Sequence, residues 1–276
     1  MTKIKTPIIP PHQQFAKVAA RQELDHQAIC IFAATGFFLD TDTYWKNIKV
    51  LPAGSENTLN GNGFLIESKP WFQWHYSPRD ISFETALEEF TSLFEQIIAE
   101  QVKDNKVILP LSGGLDSRTQ AVALAKLRKE VTAYSYSFKG GYSESAIGKK
   151  IAKASNFDFK EFTIEPGYLW PKLEELASLN DCYSEFTHPR QMAVLDELKK
   201  MEGVFSLGHW GDVLFDRGTP EGTREEDLLD IIIKKIVKKG GMELATALWQ
   251  EWNLEGDFES YLRERIAGLL KKIDIE

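Results

Sequence analysis

Asp116 stands in the run Leu111-Ser112-Gly113-Gly114-Leu115-Asp116-Ser117, a carboxylate among residues otherwise suited to holding an anion. Ser112 and Ser117 offer hydroxyls. Gly113 and Gly114 let backbone amides approach a ligand with no Cβ in the way. A carboxylate beside a polyphosphate is repelled unless a divalent cation lies between them, and Mg2+ bridging carboxylate and phosphate oxygens removes that objection. The stretch reads as a nucleotide site, with Ser112, Gly113, Gly114 and Ser117 on the phosphates and Asp116 on Mg2+.

Such a turn has to be positioned by what flanks it. Val107 to Leu111 is an apolar run with the length of a buried strand, and Asp116 to Arg128 carries apolar residues at helical spacing. The start of that helix would supply free N–H groups and a positive dipole end for phosphate. Two other phosphate loops are excluded. No lysine follows the glycines, as a P-loop requires, and the three spaced glycines and later acid of a dinucleotide fingerprint are missing. Val131 to Phe138 reads as a second strand, Ser143 to Ser155 as a helix and Phe159 to Ile164 as a third strand. This alternation predicts an α/β fold with a doubly wound parallel sheet, whose ligands bind beyond the carboxyl ends of its strands.

Ahead of the sheet, Ile81 to Lys103 is an amphipathic helix with Ser82 as N-cap and an expected inward stripe of Phe83, Leu87, Phe90, Phe94 and Ile97. A domain boundary is expected near Ser77-Pro78. Before it, Glu23 to Leu39 can be helical, ending near Gly36, and Ser55 to Trp74 alternates around Asn60-Gly61-Asn62-Gly63 as a hairpin would. After the sheet, Thr223 to Lys239 is helical with Leu228, Ile232 and Ile236 inward. Its basic cluster (Lys234, Lys235, Lys238, Lys239) suits a solvated helix end.

The run Ser112 to Ser117 matches, letter for letter, the SGGLDS signature of the PP-loop ATP pyrophosphatases, and it resembles the asparagine synthetase family in particular. A second segment follows the short apolar run Gly203 to Leu207. It reads Gly208-His209-Trp210-Gly211-Asp212-Val213-Leu214-Phe215-Asp216, where the family has Gly-Glu-Gly-Gly/Ser-Asp-Glu-Leu/Val-Phe-Gly-Gly. Gly208, Gly211, Asp212, Leu214 and Phe215 match. His209 replaces a glutamate, and Trp210 and Asp216 replace glycines. Tyr134 to Phe138 with Glu144 resembles the family's second strand, and Thr187 to Met192, opening a helix, the segment before its second motif.

The resemblance implies a PP-loop (adenine nucleotide alpha-hydrolase-like) sheet that uses ATP with Mg2+. A carboxylate substrate attacks the α-phosphorus, pyrophosphate leaves, and ammonia or an amine intercepts the acyl-adenylate. It places Asp212 as a second metal carboxylate facing Asp116, and Leu111, the backbone near Tyr136, and Gly208 along the nucleoside. The family's glutamate handles a proton as the amine attacks. A histidine, with an ordinary pKa of about 6.5, can do general-base work in its place. Beside Trp210 it would narrow the second substrate's entry.

Residues 23–76 resemble the tail of the family's glutaminase domain, so the expected division is 1–78, a remnant of that domain, and 79–276, a C-terminally short ATP-binding domain. The family's glutaminases use an N-terminal cysteine. Here Thr2 follows Met1, so no glutamine hydrolysis is expected, and nitrogen would come from ammonia, an amine or a partner chain. Trp249, Trp252 and Phe258 are expected in a core. The last helices' apolar faces, including Trp249, Trp252 and Leu269, are expected to leave a patch for another chain, as a homo-oligomer or with a separate partner.

Net charge is −8, from 33 basic and 41 acidic residues, which argues against nucleic acid, whose binding rests on neutralising phosphates. Cys30 and Cys182 form no metal or disulfide pattern. No apolar run reaches membrane-spanning length, and the Lys3/Lys5 start lacks a signal peptide's apolar core. A cytoplasmic enzyme acting on small molecules is the expectation. Two rivals stay open: another PP-loop enzyme of the tRNA-thiolating or NAD-synthetase type, and a degenerate family member that binds nucleotide or a partner without turnover. Gly208 to Phe215 and the acidic charge speak against the first. His209 and the chain length keep the second.

Overall fold

The computed structural model describes residues 23–73, 75–141, 145–180, 190–208, 211, 220 and 222–275. In chain order the elements are α1 (His26–Thr35), β1 (Ser55–Leu59), β2 (Leu65–Pro70), β3 (His75–Tyr76), α2 (Phe83–Val102), β4 (Val107–Pro110), α3 (Leu115–Lys126), β5 (Val131–Phe138), α4 (Ser145–Ala154), β6 (Asp158–Ile164), α5 (Leu173–Asn180), α6 (Leu195–Leu198), β7 (Val204–Phe205), α7 (Leu228–Ile236), α8 (Gly241–Glu251), α9 (Phe258–Leu270) and β8 (Asp274–Ile275). They divide into two compact units. One takes the described residues of 80–173 and 187–218, the other those of 1–79, 174–186 and 219–276.

The first unit is built on a parallel sheet in the order β6-β5-β4-β7. Alternation along β4 supplies both of its cores. Val107 and Leu109 join Ile98, Val102, Leu124, Val131 and Ala152 on one face, while Ile108 joins Tyr134, Ile164, Val194 and Leu198 on the other. A strand buried on both faces needs no polar side, which is why residues 107–111 read as one apolar run. The fold class is α/β, wound on both sides of a parallel sheet.

α2 begins where its cap predicts, with Ser82 Oγ accepting from the N–H of Thr85 at 3.1 Å. Its buried stripe differs from the expected one. Phe94, Ile98 and Val102 pack on the core, whereas Phe83, Leu87, Phe90 and Ile97 are exposed, Phe83 by 75%. Only the C-terminal half of the helix lies against α3 and β4, so the core there takes residues spaced by four (94, 98, 102). The helix expected from Thr187 is a 3-10 turn (Arg190–Val194) before α6, and residues 181–189 lie outside those described.

In the second unit, α1 is capped by Asp25, whose Oδ1 accepts from Ala28 at 3.0 Å, and closes on Gly36 in the left-handed region. β1 and β2 form the expected antiparallel hairpin. Asn60 Oδ1 accepts from the N–H groups of Asn62 and Phe64 at 2.9 and 3.0 Å, holding the turn. The C-terminal helices overturn the expected apolar patch. Trp249 is 3% exposed and Phe258 1%, in one cluster with Cys30, Ile31 and Ala34 of α1 and with Trp252 and Leu269 partly buried against it. The face offered to another chain is thus covered from the other end of the same chain. α7 turns Leu229, Ile232, Ile233 and Ile236 to this cluster; Leu228 is not among them. No helix among the described residues is long and apolar enough to cross a membrane.

Candidate active site

From β4 the chain passes to β5 and β6 on one side, then crosses to β7 on the other side of β4. The pair β4 and β7 is where the winding reverses, and a crevice beyond the carboxyl ends of such strands is the usual ligand site of an open parallel sheet. Residues 111–114 leave that edge after β4, and residues 206–208 leave it after β7, with Gly211 the next described residue; both belong to the segments singled out by residue type.

The first loop is held by its own side chains. The hydroxyls of Ser112 and Ser117 lie 3.1 Å apart, Ser117 Oγ reaches the carbonyls of Ser112 and Gly114 at 3.3 Å each, and Ser112 Oγ accepts from the N–H of Gly114 at 3.1 Å. Gly114 is the N-cap of α3 and no side chain caps the helix. The first-turn amides are left for an outside acceptor, and the helix dipole favours an anionic one.

The second loop closes on Asp116. A Cβ on Gly211 would lie 2.4 Å from Asp116 Oδ1 and 2.7 Å from its Cγ, and one on Gly208 would lie 3.2 Å from Asp116 Cβ. A side chain at either position would push on Asp116 or on Gln120, whose Nε2 would lie 2.8 Å from a Cβ on Gly208. The carboxylate is seated between the two loops, half-buried, a hard oxygen donor suited to a cation that takes one or two carboxylates plus phosphate oxygens. No three His, Cys, Asp or Glu side chains form a metal cluster among the described residues. His209 and Asp212 lie outside them.

Other expected residues play different parts. Leu111 is 1% exposed, with its side chain in the core beside Leu109. Its N–H donates to Tyr134 at 2.8 Å and its carbonyl accepts from the Ser135 hydroxyl. Its side chain is taken up by the core, and its backbone fixes where Ser112 begins. Tyr136 is half-buried against the second core. Its neighbour Tyr134 is pushed up to about 12 by burial, and in lesser part by Tyr136, so that phenol stays neutral.

Residue types alone did not mark three supports. Buried Gln120 accepts from the Ser206 hydroxyl at 2.5 Å, tying α3 to the loop after β7. Ser135 and Gly148 hold the end of β4: a Cβ on Gly148 would lie 2.4 Å from the Leu111 carbonyl oxygen and 2.7 Å from Ser135 Oγ. A glycine inside an otherwise helical run was the available signal for that close packing.

With both loops placed, the family profile described as Asparagine synthase matches residues 89–269. The chain belongs to the asparagine synthase family. The match spans the parallel sheet and both site loops, so the chain is a member of a family of ATP-using, amide-forming ligases. No curated protein sequence matches the chain. Solved structures similar to it include NMN synthetase from Francisella tularensis, 14% identical over 62% of this chain and 94% of that one, with a TM-score of 0.30. Another is NH3-dependent NAD synthetase from Campylobacter jejuni subsp. jejuni NCTC 11168 in complex with the nitrate ion, 16% identical over 70% of this chain and 93% of that one, with a TM-score of 0.32.

Proposed function

We propose that this protein is an AMP-forming carbon–nitrogen ligase of the asparagine synthetase type, which activates a small carboxylic acid with ATP and passes it to ammonia or another amine. The observation that carries this reading is the Asp116 carboxylate, seated between an uncapped helix start and a loop whose glycines approach it with no side chain in the way. A carboxylate oxygen of the substrate attacks the α-phosphorus while the bond to the β-phosphate breaks and pyrophosphate leaves. The amine then attacks the acyl carbon, AMP departs, and the amine's proton is lost.

In this reading the amides at Gly113, Gly114 and the first turn of α3 bind the phosphates, with Ser112 and Ser117 keeping the turn in shape. Asp116, with Asp212, holds Mg2+, which when bound neutralises charge on the phosphates. The backbone at Tyr136 and Gly208 borders the nucleoside. His209 takes the proton as the amine attacks. Catalysis of the first step rests on positioning and charge neutralisation.

ATP–pyrophosphate exchange, run with Mg2+ across a panel of small carboxylates, tests this. Exchange with at least one acid, lost in Asp116→Ala, is expected. Calorimetry in which the wild type binds no ATP with Mg2+ present refutes the reading. A second reading, a family member that binds nucleotide without turnover, is favoured by His209 and Trp210 in place of the family's residues. ATP binding with no exchange on any acid would decide for it.

A further inference from the structure

Next to the turn stands a cation that the roles above leave unused. Arg118 lies one residue beyond Ser117, and its Nη2 donates to the carbonyl of Gly113 at 2.8 Å, with the side chain exposed. The same peptide is held from its other side, because the N–H of Gly114 donates to Ser112 Oγ at 3.1 Å. The C=O and N–H of a trans peptide point in opposite directions, so these two bonds fix the plane between Gly113 and Gly114. A guanidinium carries five donors in a rigid fork and stays charged at any working pH. Gly113 takes one of them. From Ser112 to Ser117 the turn has a single charge, and it is negative.

We infer that Arg118 contacts the pyrophosphate half of the nucleotide, fixing the Gly113–Gly114 peptide with one N–H and presenting the others to the β- and γ-phosphate oxygens. This deepens the nucleotide reading and rests on it. An anion of several charges, bound by neutral amides beside a carboxylate, meets an opposing fixed charge here besides the metal. A guanidinium also suits paired phosphate oxygens, which a lysine meets as a point charge.

The test is calorimetry with Mg2+ and three ligands, ATP, pyrophosphate and AMP, on the wild type, Arg118→Met and Arg118→Lys, with melting temperatures alongside. Arg118→Met is expected to weaken ATP and pyrophosphate by about ten- to a hundredfold and to leave AMP within about twofold. Arg118→Lys, which keeps the charge but not the fork, should fall between, in the same two ligands only. A role confined to the shape of the turn needs only a donor for the Gly113 carbonyl and no charge, so Arg118→Gln, measured alongside, would then bind ATP and pyrophosphate within about twofold of the wild type, and that result overturns the inference, as does unchanged ATP affinity in Arg118→Met. If Arg118→Met does not fold, the selectivity of Arg118→Lys decides in the same terms. A wild type that binds neither ATP nor pyrophosphate removes the nucleotide reading itself.

Discussion

Gly211→Ala puts the seat of Asp116 to a direct test. The added Cβ would lie 2.4 Å from Asp116 Oδ1, 2.7 Å from Cγ and 3.0 Å from Oδ2, whereas ordinary contact begins at 3.4 Å. Relief therefore needs a retreat of about 1 Å, the difference between 3.4 and 2.4 Å. The atom that gives is the end of a short side chain, so the fold can absorb the change by turning the carboxylate aside. Chemistry cannot absorb it so cheaply, since a misplacement of about 1 Å in a positioned group can cost about a hundredfold. Disturbing the support of a metal ligand typically costs ten- to a hundredfold in metal affinity or activity. The expected outcome is a ten- to hundredfold drop in ATP–pyrophosphate exchange, partly recovered at high Mg2+. The melting temperature should stay within roughly 4 °C of the wild type, about 1 kcal/mol for a chain of this size. Exchange within about twofold of the wild type at low Mg2+ would refute the reasoning. So would a loss of exchange explained wholly by unfolding.

Gly148→Ala is the counterpart: its Cβ would lie 2.4 Å from a backbone oxygen, that of Leu111, which cannot turn aside, so chemical denaturation should show a loss of about 1–3 kcal/mol. Acid should weaken the second unit through Asp42. Burial alone would raise its pKa, but Lys49 and Arg265, at 2.9 and 2.7 Å, outweigh that and hold the carboxyl below its usual 3.8. A folded pKa below the unfolded one contributes stability above 3.8 that is lost as pH falls through the folded value, so the melting temperature should fall as pH drops below about 4 and fall less steeply in Asp42→Asn. His209→Glu should raise asparagine formation from aspartate, ATP and ammonia; a wild type that already forms asparagine at a rate the variant does not exceed would show that His209 is no barrier to that reaction.

The sheet and its first loop were legible because their information is local. Residues 107–111 are apolar on both faces of a strand, Gly113 and Gly114 mark the turn that follows it, and Asp116 stands in the first turn of the next helix. Ser82, Asn60 and Gly36 likewise announce a cap, a turn and a helix end by what their own atoms can do. What depends on distant partners was not legible. The stripe expected on α2 follows from periodicity within the helix, but which positions are buried is set by how far α3 and β4 reach along it, and they reach only Phe94, Ile98 and Val102. The apolar faces around Trp249 and Leu269 read as exposed because nothing near them in the sequence covers them. The cover is α1, more than two hundred residues away.

The two serines of the turn show how a residue located by its type can also carry a task that its type does not announce. Hydroxyls beside glycines read as phosphate ligands. In the fold Ser112 and Ser117 bond each other, and their remaining contacts go to the turn's own backbone. Beside them stand the amides of α3 that no side chain caps, and backbone donors cannot be changed by side-chain substitution. The shape of the turn, which the serines hold, is then what selection can act on. By the same reasoning the glycines at 208 and 211 serve less to bind than to admit, since each keeps a space that a methyl group would fill at the edge of Asp116. Specificity in such a site comes from what is kept open as much as from what is placed there, and the charged groups that remain, Asp116 and Arg118, are where substitution should be felt most.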